Sequence, residues 1–134
     1  MPKRVTIHHE LEVHHKAFGA AMSIFELSRR FPREEIYSLT DQVRRASRSV
    51  NANISEAWRK RRYEAHFVSK LSDAETEAAE TQTWIEFAVH CGYLDAHGAK
   101  ALYKAYNEII STLVGMIIHS ETWIIPAKQN RRST

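Results

Sequence analysis

Cysteine occurs once in this chain of 134 residues, proline three times and glycine four times. The lone thiol, Cys91, excludes an intrachain disulfide and fits a reducing cytoplasm, where it reads as a small buried hydrophobe near a helix end. Long apolar runs are missing too. The longest, Ile109 to Ile118, is half a membrane span and is followed by His119 and Glu121. The opening MPKRVTIHHELEVHH has basic residues but no apolar run behind them, which is not the pattern of a signal peptide. Strand-type alternation, internal repeats and low-complexity tracts are absent, as are a phosphate-cradling glycine loop, a Ser-His-Asp set and a metal-binding carboxylate motif. The expectation is a soluble cytoplasmic protein, non-enzymatic, with no cofactor and no membrane contact.

With so few breakers, helical periodicity fills the chain. After a polar tail over about 1–9, a first helix is expected from Glu10 to Arg30, with Leu11, His15, Phe18, Met22 and Phe25 as its seam. Phe31-Pro32 ends it, because proline disfavours a helical conformation in the residue before it. A second helix is expected from Leu39 to Tyr63, capped by Thr40, and a third from Glu64 to His90. The third has a seam of Phe67, Leu71, Ala74, Ala78, Thr81, Ile85 and Ala88, and Gly92 stops it as a left-handed cap. Asp95 is the expected N-cap of a fourth, with Leu102, Tyr106, Ile109, Leu113, Met116 or Ile117, Ser120 and Ile124 on its seam and Pro126 at its end. The remaining tail, 127–134, is polar and basic and is expected to be disordered. Four such helices with short links predict an all-α, up-down-up-down four-helix bundle in a single domain. Ile110, Val114, Ile118, Trp84, Phe87 and Trp123 lie off the seams, and this second apolar side points to the interface of a closed homo-oligomer, with a thicker monomeric core as the alternative.

The second helix carries two opposed faces. Ile36, Leu39, Val43, Ala46, Val50, Asn53 and Ala57 recur at three and four, while Arg44, Arg48, Asn51, Ser55, Arg59 and Arg62 gather on another stripe roughly 140° away. Charge follows the same division along the chain. Ser28 to Arg62 holds ten Lys/Arg against four Asp/Glu, net +6, and Tyr63 to Asp95 one against seven, net −6, within an overall +3. Two readings compete. In one, Arg44, Arg45, Arg48, Arg59, Lys60, Arg61 and Arg62 bind a nucleic-acid backbone, with Trp58 and Tyr63 stacking on unpaired bases or packing in an interface. In the other, the basic helix pairs with the acidic stripe Asp73, Glu77 and Glu80 of the third helix in a structural protein-interaction scaffold.

Asn53 is the one strongly polar residue on the second helix's apolar seam. A buried amide without partners costs about 1–3 kcal/mol, so Asn53 is expected to bond a neighbouring helix or subunit and to fix register. Of the eight histidines, His8, His9, His14 and His15 crowd one end, but no pair has the i, i+4 spacing of a helical metal site, so none is expected. His15 is expected to be a hydrogen-bonded core residue.

At the residue level the chain resembles the bacterial four-helix-bundle proteins of the large-subunit rRNA intervening-sequence type. The resemblance runs from Leu11 to Pro126. It rests on Phe31-Pro32 with Glu35, Tyr37 and Leu39; on Gln42, Arg44, Arg45, Ala46, Ser49, Val50, Asn53, Ile54 and Glu56; on Phe67, Leu71, Glu80 and Thr81; and on Cys91-Gly92-Tyr93-Leu94. It implies a homopentameric bundle. A relative of that family, the accessory variability determinant of diversity-generating retroelements, is a basic pentamer that binds nucleic acid and its reverse transcriptase, so those partners are implied by analogy. A remote alternative comes from the Arg61 to His66 spacing, which resembles the ribonuclease motif of HEPN domains, although the polar residue expected after the arginine is replaced by Arg62.

Overall fold

The computed structural model describes residue 5 and residues 7–126. Four helices follow in order: α1 (Glu12–Ser28), α2 (Leu39–Arg59), α3 (Glu64–His90) and α4 (Ala96–Ile118). Each packs on its two neighbours in the cycle α1, α2, α3, α4, the arrangement of an up-down-up-down bundle, and the α2–α3 interface is the most extensive. Three short 3-10 turns punctuate the chain, at His8–Glu10, Arg33–Glu35 and Ser120–Thr122. The first straddles the expected boundary between polar tail and first helix, and Val5, within the tail, packs against the core. The expectation of disorder over 127–134 lies outside the described residues.

The core is built on small seam residues. Ala17 and Ala20 of α1, Ala46 and Ala57 of α2, Ala74, Ala78 and Ala88 of α3 and Ala99 of α4 are all buried. Alanines on facing seams let helix axes approach closely, and Val50, Ile54, Phe67, Leu71, Ile85, Tyr106, Ile109 and Leu113 fill the space between them. Each fully buried Leu, Ile or Phe contributes about 1.5–3 kcal/mol by leaving water. The α3 seam is buried throughout as its spacing predicts, and so is the α4 seam from Leu102 to Met116.

The α1 seam is not the expected one. Val13, Ala17, Ala20 and Ile24 face inward, whereas Phe18 and Met22 are 55% and 47% exposed. The helix has two apolar stripes, and close packing selects the one with small side chains; the aromatic stripe turns outward. This rotation also exchanges the histidines, burying His14 and exposing His15. On α2, Ile54 rather than Asn53 fills the deep position, and Ile36 is exposed. Asn53 is only half-buried, and its Nδ2 donates to the carbonyl and hydroxyl of Ser49 at 2.9 and 3.2 Å on its own helix. Its amide therefore fixes no register between helices of this chain. Cys91 is exposed rather than buried, just outside the α3 C-terminus.

Both ends of the bundle are closed by side chains. At one end Glu35 accepts hydrogen bonds from the Ser38 hydroxyl at 2.6 Å, from the Leu39 amide at 3.2 Å and from the Tyr93 hydroxyl at 2.8 Å. The Leu39 amide is one of the orphan donors of the α2 N-terminus, so Glu35, not Thr40, caps this helix. Tyr93 reaches it because Gly92 adopts a left-handed conformation (φ +79°) at the end of α3, as expected, and its ring packs on Phe31 with centroids 5.6 Å apart. Asp95 caps α4, its carboxylate accepting from the His97 amide at 3.1 Å. At the opposite end α2 stops at Arg59, four residues short of the expected boundary. There the Arg61 guanidinium lies over the Trp58 ring at 3.4 Å, and its Nε donates to the Trp58 carbonyl at 2.9 Å, satisfying an acceptor of the last turn. α4 likewise ends at Ile118 instead of continuing to Pro126. The chain then folds over this corner: Ser120 donates to Glu64 at 2.6 Å, and the Ile125 amide to the Arg61 carbonyl at 3.0 Å.

Hydrogen bonds from Ser38, Tyr93 and Leu39 hold the Glu35 carboxyl below its usual range, and the bond to Glu35 pushes the Tyr93 hydroxyl up to about 12. A depressed carboxyl stabilises the fold above its unfolded value, so this contribution disappears as pH falls through the folded value, below about pH 4. Glu35→Gln is expected to melt several degrees below the parent at neutral pH, with the two curves converging in acid, and to return the tyrosine titration of Tyr93 toward its ordinary value. Thermal melts across pH, with ultraviolet titration, check both. Tyr106 is fully buried, and its hydroxyl has no hydrogen-bond partner among the described residues. Tyr106→Phe is expected to match or exceed parental stability, by up to about 1 kcal/mol, in denaturant melts.

Candidate nucleic-acid interface

The basic residues of α2 separate into three environments. On the flank toward α1, the Arg44 Nε donates to the Ser28 hydroxyl at 2.8 Å. The guanidinium carbons of Arg44 and Arg48 stand 5.0 and 5.9 Å from the centroid of the Phe25 ring, and that of Arg29, the residue that follows α1, stands 5.8 Å away. One α1 ring thus gathers three guanidiniums from two helices. The same flank continues with Asn51, whose Nδ2 donates to the His14 carbonyl at 2.9 Å, and Ser55, 3.3 Å from His14 Nε2. The Ser55 hydroxyl also lies 3.1 Å from the Asn51 carbonyl one turn earlier, so it bridges α2 backbone and the His14 ring.

On the flank toward α3, Arg45 lies 3.9 Å from Asp41 one turn earlier on its own helix. Arg45, Arg48 and Ser49 line one wall of a groove of about 530 Å³, and Glu77 and Glu80 line the other. No ion pair crosses it among the described residues. Burial first, and then Glu80 and Asp73, raise the Glu77 carboxyl above its usual range, the signature of an acid without a cationic partner. The ion pair that does join the two helices has the opposite polarity, Lys70 of α3 with Glu56 of α2 at 2.8 Å.

The third environment is the α2–α3 corner. Arg59, Lys60 and Arg62 are exposed and form no ion pair among the described residues. Tyr63 is 59% exposed, with its ring 5.4 Å from that of His66, and a recess of about 190 Å³ opens between Lys60, His66, Ser69 and Lys70. Arg61 stands apart. Burial, with Arg59 beside it, lowers its pKa, and it is engaged with Trp58 and the corner turn. Trp58, expected to stack on bases or line an interface, is 4% exposed with one ring face under Arg61, and belongs to the core. Arg61 and His66 each engage a different ring, so the spacing that resembles a ribonuclease motif does not present them as a pair.

Sequence periodicity missed the α1 contribution. Phe25 and Arg29 are one turn apart on the stripe that was assigned to the core, and only the observed rotation of α1 sets them beside Arg44 and Arg48. Among the described residues no group of three or more His, Cys, Asp or Glu could hold a metal, and no helix is long and apolar enough to cross a membrane.

The architecture is that of an α-helical bundle with a basic flank and a basic corner. The chain belongs to the 23S rRNA-intervening sequence protein family, whose model matches residues 9–115. It is similar to a crystal structure of a protein of unknown function from the S23 ribosomal protein family of Bacteroides thetaiotaomicron VPI-5482, with 28% identity and a TM-score of 0.72 over 79% of this chain and 95% of that one. No curated protein matches it.

Proposed function

We propose that this chain is a non-enzymatic cytoplasmic accessory protein that binds nucleic-acid backbone through the basic face and corner of α2, acting as a closed homo-oligomer. The corner is the observation that carries the reading. Arg59, Lys60 and Arg62 are consecutive or nearly so, exposed and unpaired among the described residues, although an acidic helix lies directly against α2. Like charges held together without counter-charge favour a polyanion, and Tyr63 offers a ring for an unpaired base. The family name refers to an intervening sequence of 23S rRNA, which makes RNA the first ligand to test before DNA. Resemblance supplies the finer expectations, a pentamer and a reverse transcriptase as protein partner.

Oligomer formation is supported by apolar surface that the bundle leaves outside. Phe18, Met22, Phe87 and Ile118 are exposed, and the Trp84 Nε1–H beside Phe87 is buried without an acceptor among the described residues. The second reading, a protein-interaction scaffold, draws on the α2–α3 groove, where Arg45 and Arg48 face Glu77 and Glu80.

Replacing Arg59, Lys60 and Arg62 together by glutamine is expected to leave helicity unchanged while weakening binding to a labelled single-stranded RNA. Three lost phosphate contacts lower the slope of log affinity against log salt by about 2. Anisotropy titrations at several salt concentrations measure this; absence of binding by the parent at low salt favours the scaffold. Size exclusion with light scattering is expected to return a discrete oligomer, and a monomer at micromolar concentration overturns the ring.

A further inference from the structure

We infer that Phe25, Arg29, Arg44 and Arg48 form a phosphate seat, built jointly by α1 and α2, that holds the backbone of the same strand bound at the α2–α3 corner. The inference rests on the nucleic-acid reading above and adds to it a second contact region, half of it supplied by the C-terminal end of α1. All three guanidinium carbons lie within 5.9 Å of one ring centroid. No two are then more than about 12 Å apart, close to one Debye length, so their fields add. Among the described residues the cluster's one ion pair is Arg29 with Glu26 at 3.6 Å; Arg48 also borders the groove lined by Glu77 and Glu80 without pairing there, so the cluster stays net positive. Holding three cations around one apolar ring raises their mutual repulsion. A phosphate group arriving among them relieves it and is matched by guanidinium forks.

Preorganisation distinguishes this cluster from scattered surface arginines. Arg44 is half-buried and fixed by Ser28; Arg29 sits at the C-terminal end of α1, where the helix dipole favours a cation; and Phe25 holds the faces of the guanidiniums in place. Less side-chain entropy is therefore lost on binding. Arg48 and Arg44 precede Arg59 by eleven and fifteen residues, placing the seat about 16–23 Å along α2 from the corner, a span of several nucleotides. Asn51 and Ser55, between them on the same flank, are engaged with His14 and with each other and add no negative charge.

The test uses the full chain and labelled oligouridylates, one of about six and one of about twenty nucleotides. Arg29→Gln is the cleanest variant, because its side chain is largely exposed and its removal leaves the core untouched. With the longer RNA it is expected to reduce the salt slope by about 0.7 and the affinity about fivefold at 0.1 M salt. Arg44→Gln with Arg48→Gln is expected to reduce the slope by about 1.4, and Arg29→Lys to preserve it. The short RNA, unable to span both regions, is expected to show a smaller combined effect of seat and corner variants than the long one. If the parent binds RNA and the corner variant weakens it, but Arg29→Gln and the double variant leave slope and affinity unchanged, the seat is overturned while the corner reading stands. Unchanged binding alongside a lowered melting temperature assigns the cluster a purely structural role and also overturns it. If the parent binds no RNA, the nucleic-acid reading itself fails. Inorganic phosphate alone, titrated by NMR against the Arg Nε–H signals, separates a free-anion site from a strand site: saturation at micromolar phosphate overturns the strand assignment.

Discussion

Close approach of the helices through alanine seams is the constraint on which the rest of this structure depends. With Ala17, Ala20, Ala46, Ala57, Ala74, Ala78 and Ala99 at the interfaces, little room remains for large side chains between the axes. Bulk is therefore displaced outward, and α1 shows the consequence directly. Its phenylalanines and Met22 would overfill a seam that alanine and Ile24 fill, so they turn toward solvent and toward the flank of α2. There, Phe25 meets the arginines. An apolar stripe that one helix cannot bury has become the platform on which the charges of another are arranged.

Charge on α2 is likewise a matter of position. Ten cations between Ser28 and Arg62 would suggest one continuous basic face, and an acidic α3 alongside would suggest its neutralisation. Geometry divides the set instead. Arg61 is drawn into the turn to cover Trp58, Arg45 reaches back to Asp41, and Arg29, Arg44 and Arg48 converge on Phe25. Arg59, Lys60 and Arg62 remain facing water. The acidic residues of α3 leave them unpaired because the groove wall holding Glu77 and Glu80 faces the middle of α2, whereas the corner cations lie at its C-terminal end and in the turn that follows.

How much of this was legible in the sequence depended on whether a helix had one apolar stripe or two. α3 and α4 have a single dominant seam, and every residue named on it from Phe67 to Ala88 and from Leu102 to Met116 is buried; the limits of α3, Glu64–His90, are as expected. Gly92 and Asp95 were legible because left-handed backbone and N-capping demand particular residues. α1 offered two stripes, and side-chain size pointed to the wrong one. The ends of α2 and α4 were misplaced for a different reason: a tertiary contact, Arg61 on Trp58 in one case and Ser120 with Glu64 in the other, sets each boundary, and such contacts carry no local signal. For the candidate site, the corner could be read from a run of cations. The Phe25 cluster could not, because it required the rotation of α1 relative to α2.

The residues that carry the family resemblance are largely accounted for by folding. Phe31, Glu35 and Tyr93, from two separate motifs, meet at one end of the bundle, where a single carboxylate caps α2 and anchors the α3–α4 link. Ile54 is core, Asn53 bonds back to Ser49, and Glu56 ties α2 to Lys70. These roles serve any function the bundle performs, so membership in the family speaks first to architecture. Functional weight then shifts to charged groups that folding does not consume. The side chains of Arg59, Lys60 and Arg62 cap no helix, cover no ring and pair with no acid among the described residues. Four consecutive cations at the end of a helix repel one another, and the fold employs only Arg61. The remaining three are retained at a cost in electrostatic repulsion that an anionic partner would offset.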